Sequence, residues 1–438
     1  MPAVFLKGFG KEPVGAIHDS PLHRTLINEA LGAQRGKARM TLKAKESGSF
    51  DILLKDGEIV DPSQGIHFTG SVAIKNGLIA AVGKDVGGKV EKVIPLRGKL
   101  ITPGLIDMHC HPSLGFRTHG IPPDEVGLDA GVTLLGDGGT AGAANFLAYR
   151  KLVVEPARTD ILCFLNVAKA GLISQPEISS PRDMDVERGK EVIEANRDII
   201  RGVKIRAIQA LADGVGIKGV EMAKKLARDV RMPLMIHVGD PRERIVKDPM
   251  DDFSRQAVSL LEKGDILSHY LTWEPGGLIL RDGTVYPELE KARQRGVVLD
   301  PCHGLWHFSF TVARHALARG FKPDVISTDI SVPNLLVTQS LAVTMSKFLC
   351  LGLSVEEVVA MTTINPARFL GEEDKRGSLK AGLPADITVA ELLKGDFLYG
   401  DGKGGETLRG NLLYEPRMVF KSGEMRPAHS RYHIPTLY

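Results

Sequence analysis

The chain has 438 residues, 43% of them apolar and 25% charged, with a net charge of +3 from 56 basic and 53 acidic side chains. This near balance, together with 5% aromatic residues and no long basic run, argues against nucleic-acid binding. The length exceeds one ordinary compact domain and suits a large α/β barrel with a smaller partner. A core of that size folds without a structural metal, so any metal would serve chemistry.

Residues 1–48 read as an arm, with at most one short amphipathic helix in SPLHRTLINEALGAQRG. The N-terminal residues lack a charged start before an unbroken apolar core, and no run of about 18 apolar residues occurs. The expectation is therefore no signal peptide, no membrane association and a cytoplasmic location. The four cysteines, Cys110, Cys163, Cys302 and Cys350, are scattered without a CxxC, which fits a reducing compartment. From residue 49, SFDILLKDGEIVD, GSVAIKNGLIAAVG and KVEKVIPLRGKLITPG read as strands joined by Asp-Gly and Asn-Gly turns.

Apolar strand-like runs then alternate with helical stretches. Eight candidates stand out: LITPGLIDMH, GVTLLGDGG, ILCFLNVA, GVKIRAI, MPLMIHVG, GDILSHYLT, GVVLDPCHG and PDVISTDI. Between them, GIKGVEMAKKLARDV places Ile217, Val220, Ala223, Ala227 and Val230 on one helical face. FSRQAVSLLEKG and FTVARHALARG both stop at glycine, as helices often do. Eight such units predict an α/β fold, a (β/α)8 TIM barrel over 104–371. Strands recur in GSLKAGLPADITVAEL and YEPRMVFKSGE. They predict a small β-sandwich domain built from both chain ends, residues 49–103 and 372–438.

The active site of such a barrel lies at the C-terminal ends of its strands. Strand one ends in His109 and His111, which share a face because side chains alternate. Strand four carries Lys204 within an apolar run, where an unpaired ammonium is costly. Strands five, six and eight end in His237, His269 and Asp329. Each residue alone has an ordinary structural explanation, but five strand ends bearing ligand-type side chains point to a metal centre.

This set, with ITPGLIDMHCHP and GSLKAGLPADITV, resembles the amidohydrolase superfamily in its two-metal, carboxylated-lysine branch, over residues from about 50 to 425. VVLDPCHGLWHFSF and SKFLCLGLSVEEVVAMTTINPARFLG narrow the resemblance to a dihydroorotase-like subgroup, some of whose members deacetylate small acetylated carboxylic acids. That subgroup usually has a Gly-His-Gly-x-x-Ser-Phe loop. Here Cys302-His303-Gly304 stands in, with Leu305, Trp306 and His307 before Phe308-Ser309-Phe310, so the loop lining the substrate pocket is changed.

The resemblance implies that His109, His111 and Asp329 hold one divalent ion and His237 with His269 the other. Lys204, carboxylated by CO2, would bridge them. A metal-bridging hydroxide would attack an amide or ester carbonyl, and Asp329 would act as general acid and base. The donor set suits zinc before manganese or iron. The substrate would be a small carboxylate, such as an N-acyl amino acid or an acetylated hydroxy acid. For substrate contacts Arg206 shares the face of Lys204 and can clamp a carboxylate. His303 and Tyr270 follow, with Trp306, His307, Arg117 and His119 as weaker candidates. A homo-oligomer is left open.

Three alternatives remain at this stage. A cyclic amidase of dihydroorotase or hydantoinase kind would use the same site. A mononuclear deaminase would want a glutamate where His237-Val238-Gly239 is followed by Asp240. A non-enzymatic relative would have lost ligands that this chain keeps.

Overall fold

The computed structural model describes residues 49–434, so the expected arm 1–48 and the last four residues of the composite β domain lie outside the described residues. Strands β1 (Ser49–Asp61), β2 (Ile66–Lys75) and β3 (Leu78–Gly83) run antiparallel in sequence. Asn76 and Gly77 join β2 to β3 with φ of 51° and 76°, the positive values that a tight hairpin demands. Asp56-Gly57 does something else. Instead of joining two strands, it sits inside β1 at a register shift between Leu54 and Gly57. A Cβ on Gly57 would lie 2.5 Å from Ile101 Cδ1, so the kinked strand needs glycine there.

Strand β1 also pairs in parallel with β4 (Lys89–Pro95) and, at Glu58 and Ile59, with β5 (Leu100–Pro103). The far edge of β5 takes β13 (Ile387–Gly400), which continues into β14 (Thr407–Lys421) and β15 (Glu424–Pro427). The two ends of the chain thus meet in one sheet, ordered β15-β14-β13-β5-β1-β2-β3. Its apolar core draws Leu54, Ile59, Val72 and Ile101 from one end and Ile387 and Phe420 from the other.

The second sheet is parallel and follows chain order: β6 (Leu105–Cys110), β7 (Val132–Asp137), β8 (Asp160–Asn166), β9 (Ile200–Arg206), β10 (Leu234–His237), β11 (Ile266–Ser268) and β12 (Val298–Asp300). Helices cover its outside. Ile217–Val230 buries Val220, Ala223, Ala227 and Val230, as its periodicity predicts.

The eighth expected strand is the one departure. Residues 324–330 lie in its place but form no regular ladder. On one side Asp324 N–H donates to Leu299 O at 2.9 Å and His303 N–H to Ser327 O at 3.2 Å. On the other, Asp329 N–H donates to His109 O at 2.8 Å and His111 N–H to Ile330 O at 3.0 Å. The segment therefore closes the barrel between β12 and β6. Two features break its regularity: Thr328 N–H is taken by the Asp107 carboxylate at 3.2 Å, and Asp329 has φ of 54°.

The turn between β13 and β14 reaches back to the barrel mouth. Lys403 N–H donates to Leu305 O at 2.9 Å, and the Asp401 carboxylate accepts from Phe310 N–H at 3.1 Å. From the helix Leu341–Cys350, fully buried Lys347 places its Nζ 3.0 Å from Gly400 O, 3.0 Å from Val337 O and 2.9 Å from His303 Nε2. Every N–H it carries has an acceptor, which is how a buried lysine is tolerated. No helix among the described residues is long and apolar enough to cross a membrane.

Candidate metal centre

The C-terminal ends of the barrel strands open into a cavity of about 330 Å³. Its lining includes His109, His111, Lys204, His237 and Asp329, with Arg206, Arg117 and His119 towards the mouth. Buried His269 completes the expected set from just beneath, its ring 4.2 Å from that of His237 and 5.5 Å from that of His109. All six expected ligand residues therefore converge.

The rings are aimed by their outer nitrogens. His109 Nδ1 lies 3.1 Å from Ser268 Oγ and 3.2 Å from Asp300 Oδ2, which turns Nε2 inward to 3.0 Å from Lys204 Nζ. His111 Nδ1 meets Thr140 Oγ1 at 2.9 Å, leaving Nε2 at 3.1 Å from Asp329 Oδ1. His269 Nδ1 donates to Cys302 O at 2.7 Å, and His237 Nε2 donates to Gly239 O at 3.0 Å. Fixing one ring nitrogen to a carbonyl or carboxylate is how proteins orient imidazole ligands and set their tautomer.

Burial, reinforced by neighbouring cationic groups, holds the pKa values of His109, His237 and His269 well below the ordinary imidazole range. They are neutral and have lone pairs to give. Burial also lowers Lys204 to about 8. Burial alone would raise Asp329, but the hydrogen bond from His111 and the nearby His109 and His307 hold it well below the usual carboxylate range. Three neutral imidazoles, with His111 and one carboxylate beside them, form a metal-ligand donor set. One atom tests the fit directly: His269 Nε2 is buried and has no hydrogen-bond partner. An orphaned inward lone pair beside the other donors is what a cation would satisfy.

Substrate-side expectations fare unevenly. Arg206 does reach the cavity, steadied by Glu177 Oε2 at 3.2 Å from its Nη1. Arg117 lines it too, with Nη1 buried and unpartnered. Tyr270 does not: it is fully buried, and its hydroxyl donates to Phe321 O at 3.0 Å. The chain turns at His269, φ of 65°, just before it. His303 is likewise outside the cavity lining. It stacks on Phe308 at 4.3 Å, donates from Nδ1 to Gly304 O at 2.7 Å and accepts from Lys347. Cys302, at φ of 37°, turns the chain before it.

His307 and Trp306, by contrast, line the cavity. Asp300, Thr140 and Asn334 support the site without having been singled out by the sequence. Asn334 donates to Asp329 Oδ2 at 3.1 Å and accepts from Leu305 N–H at 3.2 Å. Only Asp300 carried a signal, as a carboxylate closing an apolar strand.

A parallel barrel with such donors at its mouth defines a barrel hydrolase. Residues 100–425 match the Amidohydrolase family. A deacetylase of Brucella anthropi is 33% identical over 82% of this chain and 87% of its own length. A deacetylase of Agrobacterium fabrum is 34% identical over 82% of this chain and 86% of its own. Among solved structures, one described as a dihydroorotase superposes with a TM-score of 0.75 at 32% identity, covering 86% of this chain and 98% of that one. The chain belongs to the amidohydrolase family and is an enzyme, a hydrolase acting on carbon–nitrogen bonds other than peptide bonds.

Proposed function

We propose that this hydrolase removes an acyl group, with acetyl as the leading case, from a small carboxylate-bearing amide or ester. In this reading His109, His111 and Asp329 hold one divalent ion, and His237 and His269 hold a second. Lys204, carboxylated at Nζ, contributes an anionic oxygen to both, and zinc suits the donors. The observation that carries it is Lys204 itself, buried and set 3.0 Å from His109 Nε2 with no carboxylate bonded to it. An amine lowered to about 8 supplies the neutral form that adds to CO2.

When bound, the two ions would supply an activated water and polarise the scissile carbonyl. The rest falls to the chain. Asp329, ionised at neutral pH, takes the proton from the attacking water and passes it to the departing amine or alkoxide. Asn334 steadies its Oδ2 for that exchange. Arg206 and the unpartnered Nη1 of Arg117 give a carboxylate its place at the mouth. The named deacetylase relatives support this over ring opening, whereas the dihydroorotase likeness keeps a cyclic amidase as the second reading.

Purified protein should hold about two divalent ions per chain and hydrolyse N-acetyl amino acids or acetylated hydroxy acids faster than cyclic amides. Lys204→Ala should lose hydrolysis and fall below two ions. Full activity in that variant would overturn the mechanism, and preference for dihydroorotate or hydantoins would favour the second reading.

A further inference from the structure

We propose that His307 is a third imidazole ligand at the second metal position, so that this chain builds the position from His237, His269 and His307. The inference rests on the two-metal reading and adds a residue to it. The three side chains each offer a ring nitrogen, and these atoms lie within 4.8 Å of one another. The His307 ring centroid is 4.6 Å from that of His237 and 4.4 Å from that of His269.

The nitrogen roles sharpen the case. His269 spends Nδ1 on Cys302 O, and His237 spends Nε2 on Gly239 O. That leaves His269 Nε2 and His237 Nδ1. His307, 5% exposed, has a buried Nδ1 with no partner. Two orphaned ring nitrogens in one small cluster are unusual, because a buried polar atom left unpaired is costly. A cation answers both at once. Tetrahedral zinc sits about 2.0–2.1 Å from each imidazole nitrogen, which sets the nitrogens about 3.4 Å apart.

The backbone makes room for His307. Gly239 has φ of 94°, and a Cβ there would lie 3.2 Å from His307 Nδ1 and 2.9 Å from Thr272 Oγ1. The loop carrying His307 is pinned through Leu305 to Lys403 and Asn334. It is also the stretch, Cys302 to Phe310, in which the sequence departs from the loop it resembles. Three imidazoles suffice for a zinc site with an open position. The second position therefore does not depend on the carbamate of Lys204, although the bridge between the two ions does.

The test is cobalt or zinc titration of the metal-free protein, read by competition with a chelating indicator and not by turnover. His307→Ser should weaken the second ion by more than about 100-fold, beyond the loss expected from removing a supporting contact. Lys204→Ala should retain an ion at the second position, and Lys204→Ala with His307→Ser should retain none there. His307→Cys loaded with cobalt should show a near-ultraviolet thiolate-to-metal band absent from the cobalt-loaded wild type. Second-ion affinity unchanged in His307→Ser, or no such band in His307→Cys, overturns the proposal. The two-metal reading fails separately, through Lys204→Ala keeping its hydrolytic activity.

Discussion

Asp300 offers the most discriminating perturbation, because its carboxylate bonds the outer nitrogen of His109. Its Oδ1 accepts from Ser327 Oγ at 2.5 Å and Cys302 N–H at 3.1 Å; its Oδ2 accepts from Ser268 Oγ at 3.0 Å and His109 Nδ1 at 3.2 Å. Asp300→Asn keeps the shape but has a single acceptor oxygen. The Cys302 N–H cannot reverse its role, so the amide oxygen must stay on that side and the NH2 must face His109. Nδ1 then becomes an acceptor, and the ring proton moves to Nε2, the nitrogen that faces Lys204. A protonated nitrogen cannot ligate. Supporting contacts of this kind are worth about 10- to 100-fold in metal affinity, or about 1.4–2.8 kcal/mol. Zinc competition against a chelating indicator reads the affinity, and circular dichroism confirms the fold. A folded Asp300→Asn that binds both ions like the wild type would show that the His109 tautomer is not set from Asp300.

Other outcomes follow from the same geometry. Burial lowers Lys347 to about 7, so the unfolded chain holds a proton that the folded chain gives up between about pH 7 and 10.5. Stability must fall as the pH drops through that window, and Lys347→Met should flatten the slope in urea titrations at pH 7.5 and 10. The same variant removes the two N–H donors of the neutral amine and should lose about 2 kcal/mol or more at pH 10. Gly304→Ala should cut kcat at least about 10-fold with little change in metal content, since φ is 57° and the new Cβ would press to 2.7 Å from Asp329 Oδ2. Arg206→Met should raise KM for carboxylate substrates about 10-fold or more while sparing uncharged analogues. Stripping metal with a chelator should lower Tm by several degrees, reversibly, because ions at 100 times their Kd stabilise by about 2.7 kcal/mol.

The cluster at the barrel mouth was readable in the sequence because strand alternation fixes which side chains share a face, and because a lysine in an apolar run demands a reason. Fold class was readable from the same repetition. The failures share a cause. Tyr270 and His303 lie two and three residues past the strand ends, where His269 at φ of 65° and Cys302 at φ of 37° abandon strand geometry, so alternation no longer says where a side chain points. The eighth strand dissolved because the Asp107 carboxylate, distant in sequence, claims one of its amides. Asp56-Gly57 carried the letters of a turn and became a bulge, since the kink is set by Ile101 packing against it. Each of these depends on a tertiary partner that no local pattern announces.

The turn between β13 and β14 has a consequence for how the enzyme comes into being. Gly400, Asp401 and Lys403 hold the loop that presents His307 and flanks Asp329, yet they emerge from the ribosome nearly a hundred residues after it. Strand β13 must also be made before β5 gains its partner on the side away from β1. A nascent chain that has completed every barrel strand is still without its finished mouth. Completion of the mouth thus waits for residues 400–403, and a chain that stops short of them carries the ligands without the turn that holds the loop of His307.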